Sequence, residues 1–258
     1  MLSITAPEQV TGLPLWPVLV VVLALVAFNV VYHRVAPEGH HLLWALGGSF
    51  GLLALGILDG NSWTDMGLGW RYLLPGFLWG AACIGIVTLG YLLAASFRRG
   101  RDAMHDDRVA ELSGPRLMFQ ALVQVPFGVV LFEEIAFRGV LLSMLIRRFG
   151  LVWGVAIAAI LFGLWHILPS IGTHEQSAAL GSIVGEGRRG NILAVGLSVL
   201  TTALAGILFA LLRLLSGSVL APMGLHWATN GMGYFFSWTI IRARRRHRRR
   251  HGPPDPGP

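Results

Sequence analysis

The feature that most restricts the fold of this chain is a series of long apolar segments separated by short polar ones. A helix needs about 20 mostly apolar residues to cross a bilayer, because backbone polar groups must be paired inside the hydrocarbon. Charged residues make up 13% of the chain, against about 25% in soluble domains. We therefore expect an all-α fold, a polytopic transmembrane helical bundle. The predicted spans are about 15–33, 42–58, 72–97, 116–148, 151–168, 191–213 and 219–241.

These spans predict about seven helices, with an eighth if the glycine-rich segment 170–190 forms a short or re-entrant helix. The length suits one transmembrane domain, which we place at residues 1–241. Residues 242–258 are predicted to be a basic tail that is disordered, because its end is rich in glycine and proline. The lone Cys83 excludes an intramolecular disulfide framework and a cysteine-rich metal site.

Arginine placement predicts the orientation of the bundle. With seven spans, one side carries the seven-arginine tail and most other arginines, and the opposite side carries Arg71, Arg147, Arg148 and Arg213. The positive-inside rule then places the N-terminus outside and the C-terminus in the cytoplasm of a bacterial plasma membrane. We expect the tail to contact anionic headgroups. A nucleic-acid partner is disfavoured, because no binding module accompanies the basic residues.

Charged residues interrupt the fourth span. Glu133, Glu134 and Arg138 lie within an otherwise apolar stretch. Each charge at the centre of a bilayer costs about 2.5–3.5 kcal/mol, so intramembrane ionisable residues indicate function. Positions i and i+4 share a helix face, which predicts that Arg138 pairs with Glu134 and compensates its charge. Glu133 is rotated by about 100° and is left without a local partner.

Two further spans bring polar residues into apolar surroundings. The fifth carries His166, and the seventh carries His226 and Asn230 on one helix face. A carboxylate and an imidazole on either side of a water can act as a base, which suggests Glu133 with His166. His226 and Asn230 could donate hydrogen bonds to a developing oxyanion. Each motif alone could be structural, but the three together favour hydrolysis of an acyl bond.

The motifs resemble those of the CAAX protease and bacteriocin-processing (CPBP, or Abi) family of intramembrane proteases, which includes the type II prenyl-protein endopeptidases. That family carries Glu-Glu-x-x-x-Arg, then Phe-x-x-x-His, then His-x-x-x-Asn. The motif core here covers about 130–231. The matching residues are Glu133, Glu134 and Arg138, then Phe162 and His166, then His226 and Asn230.

The resemblance implies an endopeptidase that hydrolyses a peptide bond in a membrane-anchored or lipid-modified substrate. It implies Glu133 and His166 as the water-activating pair, and His226 and Asn230 as oxyanion stabilisers. Glu134 and Arg138 would be an orienting pair, and Phe162 a supporting residue.

The candidate residues fit both a metal-dependent and a metal-free route. Family members are often classed as metalloproteases, and Glu133, His166 and His226 could bind zinc and leave an open position. We favour a route that needs no cofactor, because Asn230 is an unusual zinc ligand and an oxyanion donor gives it a clearer task. Two other functions are alternatives: a non-proteolytic scaffold or immunity protein that keeps the fold, and an ion-coupled transporter. A transporter would predict inverted repeats or paired broken helices, which the sequence does not show.

Overall fold

The computed structural model describes residues 4–104, 109, 111–172, 184, 185 and 187–251. Within these ranges the fold is all-α, as predicted, and no strand is present. Short 3₁₀ turns, Glu38–His40 and Trp70–Tyr72, precede the second and third helices. The helices are α1 Trp16–Arg34, α2 His41–Leu58, α3 Leu73–Ser96, α4 Arg98–Ala103, α5 Gly114–Trp165, α6 Ile167–Ser170, α7 Gly187–Ser216 and α8 Leu220–His251.

Among the described residues, five helices are long and apolar enough to cross a membrane: α1, α2, α3, α5 and α7. Helix α5 has 52 residues and covers both the fourth and the fifth predicted spans. The seventh predicted span lies in α8, which is outside this group because polar residues such as His226 and Asn230 lower its hydropathy. The extra helix predicted within 170–190 falls mostly outside the described residues.

Helix α5 folds back on itself at Gly150. This residue has φ 77° and ψ 174°, a left-handed conformation that favours glycine. The two arms then approach closely, since a Cβ on Gly154 would lie 2.8 Å from the backbone nitrogen of Ile146. Residues before and after the bend therefore come to the same depth in the bundle.

The first arm of α5 is wider than an α-helix over three stretches. Gln120–Gln124, Pro126–Val130 and Glu134–Leu141 form π-helical turns, in which hydrogen bonds join residues five apart. A kink is expected at Pro126, since proline has no N–H to donate. The structure shows a π turn beginning at that residue. The third stretch starts at Glu134, and π turns frequently occur at functional sites.

Small residues allow the helices to pack closely. Helix α8 lies along α3, and a Cβ on Gly224 would lie 2.5 Å from the Cα of Gly80. Helix α7 packs against the second arm of α5, where a Cβ on Gly163 would lie 2.6 Å from the carbonyl oxygen of Val199. Close contacts of this kind are typical of membrane helices. Gly47 and Gly51, four residues apart on α2, make no such contact and face open space.

Buried arginines hold one end of the bundle together. Arg148 lies 2.6 Å from the Asp59 carboxylate at the end of α2. Arg213, at the end of α7, donates a hydrogen bond of 2.6 Å to the carbonyl oxygen of Thr5 and further bonds to the loop before α3. These contacts fix the loops at this end of the bundle. The C-terminal ends of α3 and α8 lie at the opposite end.

Helix α8 continues to His251, beyond the predicted limit at residue 241. Residues 242–251 are therefore helical in the structure, where the sequence predicted a disordered tail. Arginine is a good helix former, and neither glycine nor proline occurs in α8 after Gly233. Residues 252–258 lie outside the described part of the chain.

Candidate active site

The acidic pair lies in the first arm of α5 and is almost completely buried. Glu133 ends a short α-helical turn, and Glu134 begins the third π-helical stretch. Their exposed fractions are 7% and 0%, and that of Arg138 is 2%. The Nε atom of Arg138 lies 3.4 Å from Oε2 of Glu134, which is the i,i+4 ion pair expected from the sequence. One buried carboxylate thus has a compensating charge within its own helix.

Aromatic rings surround the rest of the Arg138 guanidinium. Its Cζ atom lies 3.8 Å from the ring centroid of Phe162 and 4.8 Å from that of Phe209. Its two Nη atoms have no hydrogen-bond partner within the described ranges. Cation–π attraction strengthens when the cation is desolvated, so the rings contribute to holding this charge. Phe162 therefore contacts the site through Arg138, and Phe209 is a contact that the sequence motifs did not indicate.

Helix α8 brings His226 to the acidic pair. Its Nδ1 atom lies 2.8 Å from Oε1 of Glu134, and the side chain is buried. A carboxylate on Nδ1 favours a proton there and orients the ring. The other ring nitrogen, Nε2, then lies 3.8 Å from Oε2 of Glu133. Glu134 thus contacts both Arg138 and His226.

His166 approaches Glu133 from the other arm of α5. It is the residue directly after this helix, and its Nδ1 atom lies 2.8 Å from the carbonyl oxygen of Phe162. That carbonyl can only accept, so Nδ1 carries the proton. Its Nε2 atom lies 4.0 Å from Oε2 of Glu133. Both imidazoles therefore present Nε2 to the same carboxylate oxygen, at distances too long for a direct hydrogen bond.

Two residues outside the sequence motifs position this carboxylate. The indole Nε1 of Trp165 donates a hydrogen bond of 3.0 Å to Oε1 of Glu133. Asn29, in the first span, donates from Nδ2 to the carbonyl oxygen of Trp165 at 2.8 Å. A lone asparagine in an apolar span was a visible signal, but nothing in the sequence indicates its partner.

Asn230, the sixth predicted site residue, makes fewer contacts than the other five. Asn230 is exposed and lies one turn beyond His226 on α8. Its side chain makes no hydrogen bond to the part of the chain that the structure describes. The cluster itself consists of Glu133, Glu134, Arg138, His166 and His226, and Asn230 lies beside it.

The zinc alternative can be compared with this geometry. Imidazole nitrogens and a carboxylate oxygen are zinc ligands, and both histidines have Nδ1 engaged, as metal-binding histidines do. The Nε2–Oε2 distances of 3.8 and 4.0 Å exceed the roughly 3.3 Å expected between two tetrahedral ligands. Within the described ranges, no group of three His, Cys, Asp or Glu side chains is close enough to form a metal site. The donor types fit zinc, and their spacing here is wider than a bound ion requires.

One cavity is lined in part by a cluster residue, and a second lies beside Trp165. A cleft of about 360 Å³ reaches His166 between α6 and α7 and includes the hydroxyl-bearing Ser198 and Thr201. A second cavity of about 290 Å³ lies between α1 and the second arm of α5. Its lining is almost entirely apolar and includes Trp165. One cavity thus reaches the cluster at His166, and the other reaches Trp165, whose indole bonds Glu133.

This fold and cluster define an integral membrane protein with a buried acid–histidine site. Residues 115–232 match a family model described as type II CAAX prenyl endopeptidase Rce1-like, and this segment holds all the predicted site residues. This segment, a little under half of the chain, is therefore similar to the CAAX-type proteases, in agreement with the motif resemblance to the CPBP family. Comparisons with curated proteins and with solved structures gave no match.

Proposed function

We propose that this protein is an intramembrane endopeptidase in which Glu133 activates the attacking water. The observation that carries the proposal is the approach of Nε2 of His166 and of His226 to Oε2 of Glu133, at 4.0 and 3.8 Å. A water oxygen about 2.8 Å from two atoms that are 4 Å apart makes hydrogen bonds of ordinary length to both. Oε2 is buried without a hydrogen-bond partner in the described residues, so a bridging water would satisfy it.

Glu133 would act first as base and then as acid. The water oxygen attacks the carbonyl carbon of the scissile peptide bond, and its proton passes to Oε2 of Glu133. The carbonyl electron pair moves to the oxygen, which becomes an oxyanion. When this intermediate collapses, the C–N bond breaks and the proton on Glu133 passes to the leaving amine nitrogen. The hydrogen bond from Trp165 keeps Oε1 occupied, so Oε2 is the oxygen that exchanges protons.

His226 would stabilise the oxyanion. The Glu134 carboxylate holds the ring through Nδ1, and a protonated His226 would donate from Nε2–H to the developing charge. Asn230 lies one turn beyond His226 on α8. A substrate bound between α5 and α8 would contact it, and its side-chain amide would then donate a second hydrogen bond to the oxyanion. Arg138 holds Glu134 in place, which makes Glu134 and Arg138 positioning residues.

The cavities support a membrane-anchored or lipid-modified peptide as substrate. The apolar cavity beside Trp165 would accept a hydrocarbon group, and the cleft at His166 would admit water or a polar chain. If zinc is bound, Glu133, His166 and His226 would hold it, and it would supply a Lewis acid for the water and the carbonyl. Our preferred route uses the side chains alone.

Cleavage of a panel of membrane-anchored peptides by purified full-length protein tests the proposal. We expect Glu133→Gln, which keeps the shape and removes the base, to lower kcat by about 10²–10⁴-fold. Glu111→Gln is the matched control, because Glu111 is exposed and lies outside the cluster. Turnover by Glu133→Gln close to that of the control would refute the assignment.

Two measurements separate the remaining alternatives. A zinc chelator should leave wild-type turnover unchanged, and loss that is reversed by added zinc would favour the metal route. An absence of cleavage by wild type across the panel would favour the non-proteolytic scaffold.

For the orientation, a reporter fused after Arg250 should score as cytoplasmic, and an external score would overturn the proposed topology.

A further inference from the structure

A further cavity lies outside the acidic cluster. A cavity of about 750 Å³ is present where α4 meets the last turns of α8. This volume lies within the range of roughly 300–1,000 Å³ that is usual for small-molecule sites. The cavity, which we name the arginine groove, is lined by Arg98, Arg101, Asp102, Thr239, Ile240, Ala243 and Arg244.

Three arginines and one carboxylate give the arginine groove a positive charge. Arg244 pairs with Asp102, but these side chains are 41% and 57% exposed. Ion pairs this exposed are screened by water and contribute little, so a stronger anion can displace Asp102. Arg101 uses Nη1 to bond the carbonyl oxygens of Ala95 and Ser96 at the end of α3. A guanidinium has five N–H donors, so Arg101 keeps others for a ligand.

The groove lies where the apolar part of the bundle ends. Helix α3 ends at Ser96, directly before the arginines of α4. On α8, Trp238 donates a hydrogen bond of 3.1 Å from Nε1 to the carbonyl oxygen of Leu112. The Cζ atom of Arg242 lies 4.0 Å from the centroid of the Trp238 ring. Tryptophan and arginine next to the end of a span are typical of the membrane–water interface.

We propose that the arginine groove binds the phosphate-bearing headgroup of an anionic phospholipid. Arginine matches phosphate because its planar fork can donate two parallel hydrogen bonds. A lipid is favoured over free phosphate because the lining also includes the apolar Ile240 and Ala243, and because the groove is at the membrane boundary. The bound headgroup would link α4 to the end of α8. This proposal does not depend on the proteolytic activity.

Thermal unfolding of the detergent-solubilised full chain tests the assignment. The probes are short-chain phosphatidylglycerol, short-chain phosphatidylcholine and inorganic phosphate. Ligand that binds the folded state raises its stability in proportion to ln(1 + [L]/Kd), so Tm reports the affinity. We expect saturable stabilisation by phosphatidylglycerol and little by phosphatidylcholine. Equal stabilisation by both lipids would overturn the proposal, and phosphate acting at the same concentration as phosphatidylglycerol would overturn the choice of a lipid.

Variants distinguish a defined site from general surface charge. Arg98→Gln/Arg244→Gln should weaken phosphatidylglycerol binding at least 10-fold. Arg188→Gln/Arg189→Gln is the matched control, because these exposed arginines begin α7 and do not line the groove. The control should stay within about 2-fold of wild type, and an equal loss in both double variants would refute a defined site.

A third variant distinguishes loss of the binding site from misfolding, because it should raise the affinity. Asp102→Asn removes the carboxylate that competes for Arg244, so the affinity for phosphatidylglycerol should rise by a few-fold. An unchanged or weaker affinity in a variant that unfolds at the wild-type temperature without lipid would contradict the proposed role of Arg244.

Discussion

Glu134 is the residue whose replacement tests most directly how the buried charges depend on one another. Its carboxylate contacts Arg138 and His226, and both Glu134 and Arg138 are at most 2% exposed. Removing one partner of a buried ion pair costs about 3–5 kcal/mol, because the other charge is left uncompensated. We therefore expect Glu134→Gln to destabilise the protein by about this amount.

Replacement of Arg138, the other partner of the pair, should cost less stability. In Arg138→Met, Glu134 keeps His226 as a partner, and methionine can pack against Phe162 and Phe209. The double variant Glu134→Gln/Arg138→Met removes both charges of the pair, so neither partner is left uncompensated by the loss of the other. Its free energy of unfolding should thus be higher than that of Glu134→Gln alone. The assay is reversible unfolding in mixed micelles for wild type, both single variants and the double variant.

The same series separates stability from catalysis. We expect the double variant to regain stability but not peptide cleavage, because His226 still lacks its carboxylate. Additive effects within about 0.5 kcal/mol would show that Glu134 and Arg138 are not coupled. Wild-type cleavage by the double variant would refute the positioning role of Glu134.

Three further predictions concern contacts around the site. Trp165→Phe should lower kcat about 10- to 100-fold with little change in Tm, because a hydrogen bond to a charged group, here Glu133, contributes about 1.5–3 kcal/mol. An unchanged kcat would exclude a role of Trp165 in positioning Glu133. Asn29→Ala should lower kcat more than it changes KM, by loosening the turn that carries Trp165, and a change in KM alone would contradict this. Gly224→Val should prevent stable packing at Gly80, seen as loss of the folded fraction in size-exclusion chromatography, whereas a wild-type profile would refute the close approach.

The parts of the site that depend on local spacing could be predicted from the sequence. The Glu134–Arg138 pair follows from a helix in which positions four apart share a face. The long-range contact from His226 to Glu134 could not be predicted, because the sequence does not state which face of α8 meets α5. The i,i+4 relation of Asn230 to His226 was equally clear, yet it does not show whether the asparagine reaches the site.

The fold was predictable to a similar extent. Apolar segments gave the positions of α1, α2 and α3 to within about two residues. The sequence did not show that Gly150 folds two spans tightly against each other, which is why the Trp165–Glu133 bond was missed. The π turns of α5 were also missed, because a hydrophobic pattern does not reveal a change from four- to five-residue hydrogen bonding.

The hairpin at Gly150 has a consequence for the biogenesis of the protein. Glu133 and His166 lie on consecutive arms, so they can meet as soon as this part of the nascent chain has inserted. His226 is made some 60 residues later and completes the cluster only when the last helix docks. A chain synthesised only as far as α7 therefore lacks the complete acid–histidine cluster. The proposed hydrolysis would therefore be possible only after α8 has been synthesised and has docked.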